Sequence, residues 1–296
     1  KIEEAHTNII RGISFSPNGQ IIASASSDKT IKLWNLDGTF LRILKGHNQR
    51  VVSVNFSPNG EIIASGSDDQ TVKLWNSING KLLKTLKGHE NRVYGVSFSP
   101  DGQVIASGSD DLTVKLWNVD GTFLKTLEGH KYLVYGVSFS PDGEIIASSS
   151  FDRTVKLWNR DGELLQELIG HEDWVYGASF SPDGKIIASC SEDRTVKLWS
   201  RDGTLLKTLF GHKDRVFGVS FSPDGKIIAS VSGDRTVRLW HIDTEDLFMD
   251  LDSRLYNLLT EGRNWIKDYI KTNPNVRESD KQLCDTEILS VKGDRL

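Results

Sequence analysis

The sequence predicts an all-β fold built from six four-stranded antiparallel units, and three observations carry that expectation. Trp34, Trp75, Trp117, Trp158, Trp199 and Trp240 recur at intervals of 41 residues, with one interval of 42. A fixed period of this length marks a propeller, a solenoid or an array. Within a period the apolar residues step by two rather than 3.6, which is the strand pattern. Asn-Gly and Asp-Gly pairs then punctuate the strands, supplying the positive φ angles that two-residue hairpins require.

The third period, Gly88 to Trp117 and onward, shows each element in turn. Val93, Gly95 and Ser97 alternate with Tyr94, Val96 and Phe98, giving a first strand that Ser-Pro-Asp-Gly ends. Val104-Ile105-Ala106-Ser107 forms a second, Thr113-Val114-Lys115-Leu116-Trp117 a third, and Phe123-Leu124-Lys125-Thr126-Leu127 a fourth after Asp120-Gly121. The strands are short and rich in β-branched and aromatic residues. The one long interval has a local cause: Trp75 and Gly80 enclose Asn-Ser-Ile-Asn, whereas Trp34 and Gly38 enclose Asn-Leu-Asp. A turn absorbs the added residue. A lone four-stranded sheet cannot bury both faces, but six arranged radially as a β-propeller can.

Bulk properties narrow the function. A net charge of −4 leaves no basic footprint for nucleic acid. No apolar run reaches the roughly 18 residues that cross a bilayer, and no secretory segment opens the chain. The two cysteines, Cys190 and Cys284, lack a disulfide framework, which suggests a reducing, cytoplasmic setting. No phosphate-binding Gly-x-x-x-x-Gly-Lys signature occurs, and no Cys/His pairing has zinc-ligand spacing. Neither a cofactor nor a metal is expected.

The recurring order Gly-His, Ser-Pro-Asp-Gly, Ala-Ser-x-Ser-x-Asp-x-Thr-Val-Lys-Leu-Trp resembles the WD-repeat β-propeller family, in its highly self-similar bacterial form, over residues 1–241. The residue after tryptophan departs from that pattern: it is Asn35, Asn76, Asn118, Asn159, Ser200 or His241, never the family's Asp. The resemblance implies a structural hydrogen-bond chain of His, Ser, Asp and Trp in every blade. The sets are His6, Ser24, Asp28 and Trp34; His47, Ser65, Asp69 and Trp75; His89, Ser107, Asp111 and Trp117. They continue with His130, Ser148, Asp152 and Trp158; His171, Ser189, Asp193 and Trp199; His212, Ser230, Asp234 and Trp240. Six identical sets argue against catalysis, which needs one. In the first repeat Ala5-His6 replaces Gly-His, so the backbone entry there is expected to differ.

Function must break the symmetry, and three positions do. Before the first strand stand Ile9, Arg50, Arg92, Leu133, Trp174 and Arg215; two residues later come Arg11, Val52, Tyr94, Tyr135, Tyr176 and Phe217. Before the repeated Asp stand Ser27, Asp68, Asp110, Phe151, Glu192 and Gly233. In the family these positions surround the central opening on one face. Aromatic and Arg side chains are the types enriched in binding hot spots. The expected partner-binding set is therefore Arg50, Arg92, Tyr94, Tyr135, Phe151, Trp174, Tyr176, Arg215 and Phe217, engaging a protein or peptide laid across blades three to six. The alternative is that the Tyr ring merely plugs the tunnel.

Both ends depart from the repeat. Lys1-Ile2-Glu3-Glu4 aligns with the end of an outer strand, so it either completes the last blade and closes a six-bladed ring or belongs to a longer array. Residues 242–296 are expected to form a helical tail, with Leu247, Leu251, Leu255, Leu258 and Leu259 on one face; a degenerate outer strand at 247–251 is the alternative. The stretch from Leu259 to Val276 resembles the C-terminal tails of bacterial WD-repeat proteins, many of which carry an upstream signalling NTPase domain. The function expected is a non-enzymatic interaction scaffold, in its narrower form the sensor or regulatory domain of a larger bacterial signalling protein. The rival is an enzyme or small-ligand binder using the central tunnel.

Overall fold

The computed structural model describes residues 5–243 and Leu247. They form six antiparallel sheets in chain order, each a simple meander. Blade one holds β1 (Ile10–Phe15), β2 (Ile21–Ser26), β3 (Thr30–Asn35) and β4 (Phe40–Lys45). Blade two holds β5 (Val51–Phe56), β6 (Ile62–Ser67), β7 (Thr71–Asn76) and β8 (Leu82–Lys87). Blade three has β9 (Val93–Phe98), β10 (Val104–Ser109), β11 (Val114–Asn118) and β12 (Phe123–Leu127). Blade four has β13 (Val134–Phe139), β14 (Ile145–Ser150), β15 (Thr154–Asn159) and β16 (Leu164–Ile169). Blade five has β17 (Val175–Phe180), β18 (Ile186–Ser191), β19 (Val196–Ser200) and β20 (Leu205–Leu209). Blade six has three described strands, β21 (Val216–Phe221), β22 (Ile227–Ser232) and β23 (Val237–His241). The stub Lys1–Glu4, the expected helical tail and its alternative strand lie outside the described residues, apart from Ile242, Asp243 and Leu247.

The turns differ from the two-residue hairpins that Asn-Gly and Asp-Gly suggest. Between β1 and β2 the chain takes five residues: Gly19 N donates to Ser16 O at 2.8 Å, Ser16 N to Ile21 O at 2.8 Å, and Gly19 alone adopts a positive φ, 69°. The second turn has no glycine at its left-handed position. Lys29, Gln70, Leu112, Arg153, Arg194 and Arg235 hold it, at φ of 67–73°, a conformation that is uncommon for residues with a side chain. In the third turn the side chain after tryptophan holds the loop in blades two, four and five. Asn76 accepts at Oδ1 from the backbone N–H of Ile78 and Asn79, which holds the one-residue-longer loop of blade two.

Between blades the packing is apolar and repeats with the sequence. Ala23, Ala25, Ile31, Leu33 and Leu44 of blade one meet Val51, Val54, Phe56, Ile63 and Trp75 of blade two. Homologous clusters join blades two to three, three to four and four to five. The first strand of each blade is innermost, and β1, β5, β9, β13, β17 and β21 pack in succession. These strands approach closely where the sequence places glycine. A Cβ at Gly95 would lie 2.9 Å from Tyr135 O and 3.1 Å from Gly136 Cα in the next blade.

Inside each blade, burial of polar groups is tolerated because they satisfy one another. In blade three Trp117 Nε1–H donates to Ser107 Oγ at 2.9 Å, and Ser107 Oγ lies 2.8 Å from His89 Nε2. His89 Nδ1 lies 2.7 Å from Asp111 Oδ2. A carboxylate only accepts, so His89 Nδ1 carries a proton and donates to Asp111. Asp111 also accepts from Glu90 N, Thr113 N and Thr113 Oγ1. The same links recur in the other five blades. Blade one keeps them with Ala5 in place of glycine, and Lys32 Nζ donates to Ala5 O at 2.7 Å.

Burial raises the Asp111 carboxyl, but the bonds from His89 and Thr113 outweigh it and hold the group below the usual carboxylate range. The same balance leaves Asp28 at about 2. Burial lowers His47 and His171 below their ordinary 6.5, with Asp69 and Asp193 opposing. For both kinds of group the unfolded chain binds protons first, so stability is greatest above about pH 6.5 and falls with acidification. Melting temperature should therefore decline gently as pH drops below 6.5 and steeply from about 4 toward 2, measured by circular dichroism across that range. Asp111→Ala orphans His89 Nδ1, two backbone donors and the Thr113 hydroxyl, and chemical denaturation should show a loss of about 1–3 kcal/mol. Gly95→Ala should cost about 1–3 kcal/mol through overpacking against backbone. Gly177→Ala, whose added methyl would meet only Cys190 Sγ at 3.6 Å, should stay near neutral in the same assay.

Candidate functional site

The three variable positions converge on one face for a backbone reason. In every blade the residue before the repeated Asp donates its N–H to the carbonyl of the residue that precedes the first strand. Phe151 N meets Leu133 O at 3.1 Å, Glu192 N meets Trp174 O at 2.8 Å, and Asp68 N meets Arg50 O at 3.0 Å. The third position sits at a bulge. Val93 pairs with Ser109 and Gly95 with Gly108, leaving Tyr94 as the extra residue; Tyr135, Tyr176 and Phe217 occupy the same place in the next three blades. A bulge re-aims the side chain of its extra residue. Period-two alternation gave no sign of it; the Gly that follows each aromatic was the available signal.

The aromatics form one continuous array over blades three to six. Tyr94 and Tyr135 stack at 5.2 Å between ring centroids, Tyr135 and Phe151 at 5.7 Å, and Phe151 and Trp174 at 4.3 Å with planes 7° apart. Tyr176 stands edge-on to Tyr135 and Phe151, each at 5.4 Å, and Phe217 lies 5.3 Å from Tyr176. Tyr176 is buried, Tyr94, Tyr135 and Phe151 are half-buried, and Trp174 and Phe217 remain 42% and 45% exposed. The inner members thus fill space among the bulges, while Trp174 presents indole surface outward. Plugging and presentation coexist in one cluster.

The charges around this array are layered. Tyr176 Oη donates to Glu192 Oε2 at 2.5 Å, and Arg215 Nη1 lies 3.7 Å from Glu192 Oε1. Burial and the Glu192 bond push the Tyr176 hydroxyl above its ordinary range, with Arg215 opposing, so it stays protonated. The Arg215 guanidinium lies 5.4 Å from the Phe217 ring centroid. Arg50 Nε donates to Asp68 Oδ2 at 2.5 Å; the carboxylate is almost wholly covered, and its Oδ1 is buried without a hydrogen-bond partner. Arg50 is partly exposed and Arg92 and Arg215 are exposed, so the face offers guanidinium groups above acids that sit beneath them. All nine residues anticipated as partner-binding lie at these three positions. Glu192 and Asp68, which the sequence marks only as flanking acids, prove to be the groups that hold Tyr176, Arg215 and Arg50.

Elsewhere, a cleft of about 370 Å³ lies between blades five and six, lined by residues that include Asp193, Lys197 and His212. His212 and Asp193 both belong to the repeated polar sets, bonded to Asp234 and His171 respectively. Among the described residues no group of three or more His, Cys, Asp or Glu side chains is placed to hold a metal ion. Cys190 is a free, buried thiol that burial pushes up to about 12.

Comparison with known proteins gives a family match and several relatives matched over short stretches. The model of the family described as "WD domain, G-beta repeat" matches residues 1–35, 38–76, 80–118, 121–159, 162–200 and 203–241. The chain is similar to human WD repeat and SOCS box-containing protein 1, 44% identical over 45 residues, 14% of this chain and 11% of that protein. It is 45% identical over 47 residues to the Arabidopsis thaliana target of rapamycin complex subunit LST8-1, covering 16% and 15% of the two chains. With the Arabidopsis Notchless protein homolog it shares 44% identity over 43 residues, 14% of this chain and 9% of the relative. The matched stretches span only about a repeat's length of each relative.

Proposed function

The chain belongs to the WD domain, G-beta repeat family, and from that premise we propose that it is a non-catalytic protein-interaction scaffold whose partner docks on the aromatic face. The observation that carries this reading is the Trp174–Phe151 stack. The tryptophans that end the third strands are copied in every blade and spent on packing, whereas this pair occurs once, is held flat between two blades, and leaves Trp174 open. A rigid exposed indole on a rim that also carries guanidinium groups is the composition of an interaction hot spot. It suits a peptide or loop with an apolar anchor and acidic neighbours, laid across blades three to six. The printed name of one relative, a complex subunit, is in keeping with this use.

The narrower form of the proposal is a sensor or regulatory module of a larger bacterial signalling protein. It rests on the likeness of the stretch from Leu259 to Val276 to the tails of such proteins. The rival reading, chemistry or small-ligand binding along the central axis, would require an asymmetric titratable cluster in a concave site. The six His–Asp pairs are instead engaged alike within their blades, and the inner end of the aromatic face is filled by Tyr135 and Tyr176.

Trp174→Ala combined with Arg92→Ala removes two exposed groups and should leave the melting temperature within about 2 °C of the parent, as surface changes do. In affinity capture from source-cell lysate, a protein held by the parent should be lost by this variant. Capture of the same proteins by both would overturn the assignment of the face, and turnover with a single active-site titration would overturn the non-catalytic reading.

A further inference from the structure

The cations of the rim are not equivalent. Arg50 Nε donates to Asp68 Oδ2, Arg215 Nη1 lies 3.7 Å from Glu192 Oε1, and the charges of Asp68 and Asp110 act on Arg92. Arg11 is the exception. Its guanidinium is exposed, and its hydrogen bond runs from Nε to the neutral Ser27 Oγ at 3.1 Å. Among the described residues no carboxylate pairs with it. The cause lies within blade one. Ile10 pairs with Ser26 and Gly12 with Ala25, so Arg11 is the extra residue of the bulge. In blade five the bulge residue Tyr176 bonds the residue before the repeated Asp, which is Glu192. In blade one the same two positions hold Arg11 and Ser27, and the serine accepts a hydrogen bond without returning a charge.

Arg11 thus stands where blades three to six carry Tyr94, Tyr135, Tyr176 and Phe217, and the bulge aims it at the same opening. Burial raises the Tyr135 hydroxyl above its ordinary range and the Arg11 charge opposes this, so the guanidinium of blade one lies within electrostatic reach of blade four. The hydroxyl stays protonated, and among the described residues it makes no hydrogen bond. We propose that Arg11 and the Tyr135 hydroxyl receive the carboxylate of an acidic side chain, Asp or Glu, from the peptide that docks on this rim. The proposal rests on the reading of the rim as the partner-binding face and names the charged group that the face takes. A guanidinium fork matches a carboxylate with two parallel hydrogen bonds. One unanswered positive charge suits one negative charge; a phosphate dianion would bring a second beside Asp68, Asp110 and Glu192. A peptide crossing from Trp174 passes the opening rather than ending in it, which selects a side chain over a chain end.

The test is nitrogen-15 NMR of the full chain, following the Arg11 Nε–H, with N-acetylglutamate N-methylamide as the carboxylate probe. N-acetylglutamine N-methylamide is its neutral counterpart. The carboxylate should shift the Arg11 signal saturably, with a Kd of about 1–10 mM, and the neutral compound should not. Followed through the other rim signals, Arg11→Gln should weaken binding at least about tenfold and Tyr135→Phe about threefold. Both variants should melt within about 2 °C of the parent. Lys207→Gln, which removes an exposed charge from β20, should leave binding unchanged. Binding retained in full by Arg11→Gln or by Tyr135→Phe, or equal shifts from the two probes, would overturn the assignment. Tighter binding of methyl phosphate, or of N-acetylalanine as a chain end, would overturn it in favour of that group. The probe has no apolar anchor, so its result is separate from lysate capture by the Trp174→Ala, Arg92→Ala variant. Loss of capture there, with no Arg11 shift up to about 50 mM probe, would sink this inference and keep the docking face.

Discussion

In each blade a nearly buried carboxylate gathers the donors that fix the local chain path. Asp111 accepts from the imidazole of His89, from the backbone just after it, and from both the backbone and hydroxyl of Thr113. It thereby ties the segment entering the blade to the turn between its second and third strands. The turn it closes puts Leu112 at φ 70°, a conformation costing on the order of 1 kcal/mol without glycine. The bonds to Asp111 hold the residue there. That same turn carries the residue before Asp to the rim, so the placement of Phe151 and Glu192 on the candidate face depends on a carboxylate that never reaches it.

The networks take up the histidines and aspartates that would otherwise suggest chemistry, and function is left to positions that they fix but do not use. Two of these sit on the paired backbone groups that close each rim, and the third is the extra residue of a bulge. A bulge followed by glycine does two jobs. It turns Tyr94, Tyr135, Tyr176 and Phe217 toward one another, and it allows neighbouring inner strands to come within backbone contact. At an exposed bulge position such as Phe217 a change alters the surface, whereas a side chain at Gly95 or Gly136 would alter the spacing of the blades. This separation explains how nearly identical repeats carry different rims.

The repeat, the four-strand meander and the polar sets were legible because each depends on short-range pattern: a period near 41 residues, alternation, and turn chemistry. The grouping of the variable residues was legible too, since copies in register reveal what differs. What escaped the sequence was geometry that alternation conceals. Tyr94 reads as one residue in an unbroken strand, yet its neighbours pair across it. Gln70 and Arg153 carry no mark of a left-handed turn, because the constraint comes from the adjacent Asp. The stacking of Trp174 on Phe151 joins residues from different blades, and only the spacing between blades decides whether such side chains meet.

The members of the aromatic face are not equivalent. Along the array each bulge aromatic rests on the next, Tyr94 on Tyr135, Tyr135 on Tyr176 and Tyr176 on Phe217, and the series ends where the blades end. Phe217, the last of these, rests on Tyr176 with the Arg215 guanidinium over its ring, and is 45% exposed. Trp174 differs. It stands between blades four and five, away from either end, stacked on Phe151 by contacts already made. Its exposed area lies between two described blades on a rigid stack, which makes it the firmer anchor for a partner.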